Sequence, residues 1–244
     1  LAAALAEQGQ RVILCDLDPQ ATTTTWTLGP IEPPAELFEL LTGRNPATGA
    51  TADWKARTKL ETWTRETPIP GVRLLPGSPY LASADVIAPD GAQLRLRRAL
   101  ERSTLAADWI VIDTPPALGT LLAAALLASQ ACLAPTAAQA LAVSGITGIE
   151  PAIEAARDSY GFGAVLWGIL PCRVTRTTLA VEVIERLREK YGPLVTTTTI
   201  RESVRMAEAP SWHQPITTYA PTSSAAEDYR ALAVELTARR WPNP

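Results

Sequence analysis

The sequence predicts an α/β fold in which helices flank both faces of a doubly wound, mostly parallel sheet. Short apolar runs alternate with helical patterns along the 244 residues, as expected of βαβ units. Two of those runs, Arg11-Val12-Ile13-Leu14-Cys15-Asp16 and Trp109-Ile110-Val111-Ile112-Asp113, are almost wholly apolar and end in a carboxylate, the form of a parallel strand buried on both faces. With 47% hydrophobic and 19% charged residues the chain can bury a sizeable core, and its length fits one large α/β domain over residues 1–244.

In chain order, residues 1–7 are strong helix-forming sequence, and Gly9 is placed to cap that helix. The strand ending at Asp16 follows. Residues 29–79 are rich in Pro, Thr and Gly, so an elaborated surface connection is expected, with a short helix at 35–41 and a strand at 72–75. Helical patterns at 93–104, 118–127, 146–159, 179–190 and 224–240 then alternate with apolar runs at 109–113, 131–135, 164–170 and 194–200. Pro151 falls inside the third of these helices, where its ring crowds the preceding turn, so a kink or a split is expected. The threonine runs 22–25 and 196–199 suit a solvated turn or a strand. Right-handed crossovers place a ligand beyond the carboxyl ends of the strands, where Asp16 and Asp113 fall.

Composition narrows the function. A formal charge of −3 is not that of a basic body that coats nucleic acid, so any DNA contact must come from a local patch. Cys15, Cys132 and Cys172 have no metal or disulfide spacing and read as free thiols in a reducing cytoplasm. No apolar run reaches the roughly 18 residues that span a membrane. The single histidine, His213, has neither triad nor metal spacing around it and reads as a loop residue.

The chemistry concentrates in two places. Asp16-Leu17-Asp18-Pro19-Gln20 packs two carboxylates and an amide into a strand-to-loop corner, and paired acids beside a metal can hold its waters and orient an attacking one. One Asp-x-Asp more commonly caps a helix, but Asp113 supplies a third acid at the end of a second strand, and Thr114-Pro115-Pro116 stops that strand and forces a loop.

The order of these segments resembles the ParA/MinD-type ATPases, the deviant-Walker P-loop NTPases. Residues 12–20 are similar to that family's second acidic motif, and Trp109 to Pro116 to its Walker B with paired prolines. The resemblance continues through Pro135, Ala140-Leu141-Ala142-Val143-Ser144-Gly145 and Gly168-Ile169-Leu170. It reaches Ile200-Arg201-Glu202-Ser203-Val204-Arg205-Met206-Ala207-Glu208-Ala209-Pro210 and runs to Ala225, leaving out residues 29–70.

In that family a strand, a K-G-G-x-G-K-[ST] loop and the first half of a helix precede the first acidic strand. The resemblance therefore implies that the chain is truncated before or within its first helix, with the loop lying upstream of Leu1. The 244 residues alone are then expected to bind ATP weakly.

By resemblance the cofactors are ATP and Mg²⁺. Asp16 would position the hydrolytic water near the metal, Asp18 would support that site or a dimer contact, Asp113 would hold the metal's waters and Gln20 would organise the loop. Pro115, Cys172, Arg173 and Arg201 fall at nucleotide-binding positions, although the family has Pro where this chain has Arg201. Arg205 and Arg176 are the candidate DNA contacts among the arginines. The implied function is an ATP-dependent homodimer in the cytoplasm, associated with the nucleoid. It would bind DNA nonspecifically, and a ParB-like adaptor or cargo protein would stimulate its slow hydrolysis. A MinD-like membrane-positioning ATPase and a non-hydrolysing module of the same fold are the alternatives. Against the first, the terminal helix pattern is that of a core-packing helix, not a basic membrane-surface one.

Overall fold

The computed structural model describes residues 1–51, 53, 55, 59–139 and 142–242, with the side chains of Asp85 and of residues 142–147 outside the description. Trace contacts divide the chain into two compact units, Ala2–Ala128 and Ser129–Pro244, the latter joined by Leu1.

The first unit is built on a four-stranded sheet in the order β2-β3-β1-β4. Its central strand β1 (Val12–Asp16) is parallel to β3 (Val72–Leu75) on one side and to β4 (Trp109–Asp113) on the other, and the short β2 (Arg65–Glu66) adds antiparallel to β3. Register pairs Cys15 with both Leu75 and Ile112. Side chains alternate faces along a strand, so these three share one face, and all three pack in the main core cluster.

That cluster is completed by residues of α3 (Glu36–Thr42), α4 (Leu60–Trp63), α5 (Ala84–Ile87), α6 (Arg95–Arg102) and α7 (Thr120–Ala128), among them Leu37, Leu40, Leu41, Leu60, Ala84, Leu96 and Leu121. Each fully buried leucine contributes about 1.5–3 kcal/mol. The remaining helix before β1, α1 (Ala2–Glu7), packs its alanines and Leu5 against β1 and β3.

Two expectations change here. The stretch 29–79 is more than a surface connection, because α3 buries Leu37, Phe38, Leu40 and Leu41 in the core. Its Pro- and Thr-rich flanks mask an apolar Leu-Phe-x-Leu-Leu segment. The run Thr22–Thr25 is neither turn nor strand; it forms the first turn of α2 (Thr22–Leu28), for a reason that the functional site supplies.

The second unit pairs β5 (Ala131–Ala137) in parallel with β6 (Val165–Cys172). Between them runs α8 (Ala142–Tyr160), continuous through Pro151, so the expected split is absent. After β6 come α9 (Thr178–Tyr191), α10 (Val204–Glu208), α11 (Ile216–Tyr219) and α12 (Ser224–Ala238). Val183 and Leu187 of α9 pack on Ile169 and Val195, and α12 buries Ala225, Ala226, Leu232, Ala233 and Leu236. The core-packing reading of the terminal helix is thereby borne out.

The strand expected at 194–200 is not formed. Val195 makes only an isolated bridge to Ile169. Beyond it the Glu235 carboxylate accepts from the backbone N–H groups of Thr197 and Thr198 at 2.9 and 2.7 Å, and the Thr196 hydroxyl donates to the Thr198 carbonyl at 2.7 Å. Thr196 and Ile200 still donate to the Ile169 and Pro171 carbonyls of β6, but a side chain takes the donors of Thr197 and Thr198 between them, which interrupts the ladder. Residues Ala140 and Leu141 of the resemblance segment lie outside the described residues.

Candidate functional site

The sequence-derived acids meet at the carboxyl edge of the four-stranded sheet. Asp16 and Asp113 are register partners on adjacent strands, and the Leu17 N–H donates to the Asp113 carbonyl at 2.8 Å. The parallel pairing therefore continues into the corner. Both carboxylates face the first turn of α2, which explains why this β-branched run forms a helix: the hydroxyls of Thr23 and Thr24 go to the acids and that of Thr25 to the Ala21 carbonyl.

Asp16 is completely buried and both its oxygens are engaged. Its Oδ1 accepts from the Asp18 N–H at 3.1 Å, and its Oδ2 accepts from the Thr24 N–H at 2.8 Å and the Thr24 hydroxyl at 2.7 Å. Burial pushes the Asp16 carboxyl above its ordinary range, the Thr24 and Asp18 donors oppose that shift, and the charge of Asp113 adds to it. Thr24 Oγ1 also accepts from the Gly77 N–H at 2.9 Å, so one hydroxyl ties β1, α2 and the loop after β3 together.

Asp113 and Asp18 are freer. Oδ2 of Asp113 accepts the Thr23 hydroxyl at 2.6 Å, and its Oδ1 accepts no hydrogen bond among the described residues. Oδ1 of Asp18 accepts from the Gln20 N–H at 2.9 Å, and its Oδ2 likewise has no donor among the described residues. The Ala21 N–H donates to the Asp18 carbonyl at 2.9 Å, and Ala21 itself takes the left-handed conformation, φ 49°, to turn the chain into α2. Gln20 is exposed and Pro115 is half-buried in the loop after β4.

Magnesium takes hard oxygen donors and keeps most of its waters. Asp113, with one free oxygen at the end of a strand, fits as an acceptor for those waters. Asp16, whose two oxygens already accept from Thr24 and Asp18, is the more occupied of the two acids. Among the described residues no cluster of three acidic, histidine or cysteine side chains could hold a metal directly.

The remaining candidates lie in the second unit. Arg201 is committed to α12: its N–H donates to Asp228 Oδ2 at 2.9 Å and its guanidinium to Asp228 Oδ1 at 2.7 Å and to the Ser224 carbonyl at 3.1 Å. The bond to Asp228 holds the guanidinium above its ordinary range. Arg173 has φ 52° and pairs with Glu202 at 3.2 Å. Arg205 pairs with Glu208 at 2.9 Å. Arg176 is exposed and makes no ion pair among the described residues. Cys132 and Cys172 are raised to about 11 by burial, and Cys15 is raised further by the same cause, so all three are unreactive thiols.

The sequence reasoning missed Thr23, Thr24 and Gly77. The available signal was the spacing, hydroxyls seven and eight residues past a strand-end acid, where the chain turns back toward the sheet.

Fold and strand-end acids together are those of the P-loop class of α/β proteins. A family model described as an AAA domain matches residues 1–161. The chromosome-partitioning ATPase Soj of Thermus thermophilus is 37% identical over 240 residues, covering 98% of this chain and 88% of the relative. The chromosome partitioning protein ParA of Caulobacter vibrioides is 29% identical, covering 98% and 87%. The chain belongs to this family, the ParA/MinD-type ATPases.

Among solved structures, cobyrinic acid a,c-diamide synthase from Mycobacterium smegmatis with bound ATP analogue and magnesium superposes with a TM-score of 0.77 at 26% identity. That match covers 100% of this chain and 90% of the other. The septum site-determining protein MinD of Pyrococcus horikoshii, complexed with Mg-ADP, superposes with a TM-score of 0.71 at 21% identity over 97% and 87%, which shows the shared fold.

Proposed function

We propose that this protein is an ATP-dependent dimerisation switch that segregates plasmid or chromosomal DNA, or positions a cargo, with residues 1–244 working as one ATPase-like domain. The observation that carries the reading is the register pair Asp16 and Asp113, two acids at adjacent strand ends held by one helical turn. Family membership supports the nucleotide as ATP.

The acids divide the work by their hydrogen bonds. Asp113 holds the metal's waters through Oδ1. Asp18, whose Oδ2 is free, orients the attacking water. The sequence resemblance assigned that task to Asp16, but a carboxylate with both oxygens engaged is better placed to hold α2 and the corner. When bound, Mg²⁺ would offset the charge of the nucleotide phosphates. Cys172, Arg173 and Arg201 are the proposed nucleotide contacts of the second unit, with Arg201 acting through its backbone segment because its guanidinium is held by Asp228.

With ATP, two copies associate and the dimer binds DNA through phosphate contacts from Arg176 and Arg205, without reading sequence. A ParB-like adaptor or cargo protein stimulates hydrolysis and releases the dimer. The protein then works in the cytoplasm on the nucleoid, with no membrane partner. Among the described residues no helix is long and apolar enough to cross a membrane.

The test is ATP turnover with and without DNA, alongside DNA co-sedimentation with ATP or ADP. The intact protein should hydrolyse ATP slowly and bind DNA only with ATP. Asp113→Ala should abolish turnover, and Asp18→Ala should abolish it while sparing ATP-dependent DNA binding. DNA binding that is indifferent to nucleotide, or full turnover by Asp113→Ala, would refute the reading.

A further inference from the structure

Two consecutive threonines of α2 serve the two strand-end acids separately. Thr24 donates to Asp16 and also accepts from Gly77, and thereby acts as a structural tie. Thr23 makes one side-chain contact of this kind, its hydroxyl to Asp113 Oδ2 at 2.6 Å, across 90 residues of sequence. Neighbouring positions on a helix diverge by about 100°, so the two hydroxyls reach different carboxylates on adjacent strands.

The length of the Thr23 bond matches a charge-assisted hydroxyl–carboxylate bond, which is roughly twice as strong as a neutral one. A carboxylate rotates broadly about its terminal torsion unless something holds it. Thr23 holds Oδ2, and Asp113 has no other side-chain donor among the described residues. The second oxygen, Oδ1, is then presented in one orientation.

We infer that Thr23 is a positioning residue for Asp113: its hydroxyl fixes the plane of the carboxylate so that Oδ1 alone receives the water shell of the metal. The inference rests on the reading of Asp113 as the metal's acid. A valine at position 23 has nearly the shape of threonine and no donor, whereas a serine keeps the donor. These two variants therefore separate the hydroxyl from the packing.

The experiment measures Mn²⁺ binding to the protein by electron paramagnetic resonance, with a non-hydrolysable ATP analogue present, and the Mg²⁺ dependence of turnover. Thr23→Val should weaken Mn²⁺ about tenfold, as loss of an orienting outer partner does, and should raise the Mg²⁺ concentration for half-maximal turnover by a similar factor. Its kcat at saturating Mg²⁺ should stay close to the parent's, and Thr23→Ser should restore the parent affinity. Thr23→Ala replaces the valine variant if that one does not fold.

Asp113→Asn separates the two levels of the reading. If it weakens Mn²⁺ while Thr23→Val binds like the parent, the positioning role falls alone. If Thr23→Ser is as weak as Thr23→Val, the hydroxyl is not the cause and the inference is overturned. If Asp113→Asn itself keeps the parent affinity, the assignment of Asp113 falls, and the role of Thr23 with it.

Discussion

Replacing Gly77 by alanine tests the corner that holds Asp16. A Cβ there would lie 2.5 Å from the Asp16 carbonyl oxygen and 2.9 Å from Asp16 Cγ, both closer than real methyl groups pack. Rotating a flexible side chain cannot relieve the clash, because one of these atoms is backbone of β1, which is held in register by β3 and β4.

Relief requires moving the loop after β3 outward, which stretches the Gly77 N–H bond to Thr24 Oγ1, now 2.9 Å. Overpacking costs about 1–3 kcal/mol and the lost hydrogen bond about 0.5–1.5, while the stiffer unfolded chain returns about 0.4–1. The net is a destabilisation of about 0.5–4 kcal/mol. Urea denaturation followed by far-ultraviolet circular dichroism should show a lower midpoint with an unchanged slope. A midpoint equal to or above the parent's would refute the packing of this corner, since it would mean that a methyl group fits between the loop and Asp16.

Three further outcomes are expected. Ala21 occupies the left-handed region, which costs an L-residue roughly 1–2 kcal/mol, so Ala21→Gly should raise the unfolding midpoint by an amount equivalent to ~0.5–1 kcal/mol after the entropy that glycine adds to the unfolded chain. Asp228→Asn weakens the bidentate clasp on Arg201 and should lower stability by about 1.5–3 kcal/mol, the range for hydrogen bonds to charged groups, measured by the same denaturation. Glu61 accepts from the Thr104 N–H at 2.6 Å and from the Ser103 and Thr104 hydroxyls, and these bonds, the backbone one foremost, lower its carboxyl from 4.5 to about 2. Its folded value lies below the unfolded one, so its contribution is present above pH 4.5 and lost as pH falls toward 2. A carbon-detected NMR titration should place its midpoint near 2.

The strands that carry the acids were legible because an almost unbroken apolar run closed by Asp has few other readings, and β1 and β4 formed where Val12 to Asp16 and Trp109 to Asp113 indicated. The terminal helix was legible for a similar reason: its apolar spacing is that of one buried face. What failed was sequence whose conformation depends on distant partners. Thr22–Thr25 has weak helix propensity, and becomes helical where Asp16 and Asp113 take its hydroxyls, the second from 90 residues away. The segment after Leu194 has strand propensity, yet Glu235, some 38 residues later, takes the backbone donors of Thr197 and Thr198. Arg201 carries the same lesson for the site. Its position suggested a nucleotide contact, and the fold adds what the sequence could not show, that its N–H and its guanidinium both donate to Asp228.

The central claim, that the ends of β1 and β4 form the metal-nucleotide edge, is tested most directly by diffraction from crystals of the protein grown with Mg²⁺ and a non-hydrolysable ATP analogue. The expected result is a metal-bound water about 2.5–3.0 Å from Asp113 Oδ1, with the Thr23 hydroxyl still on Oδ2 and Asp16 still enclosed by Thr24. Metal and triphosphate bound away from these strand ends, or Asp113 turned from the metal, would contradict it.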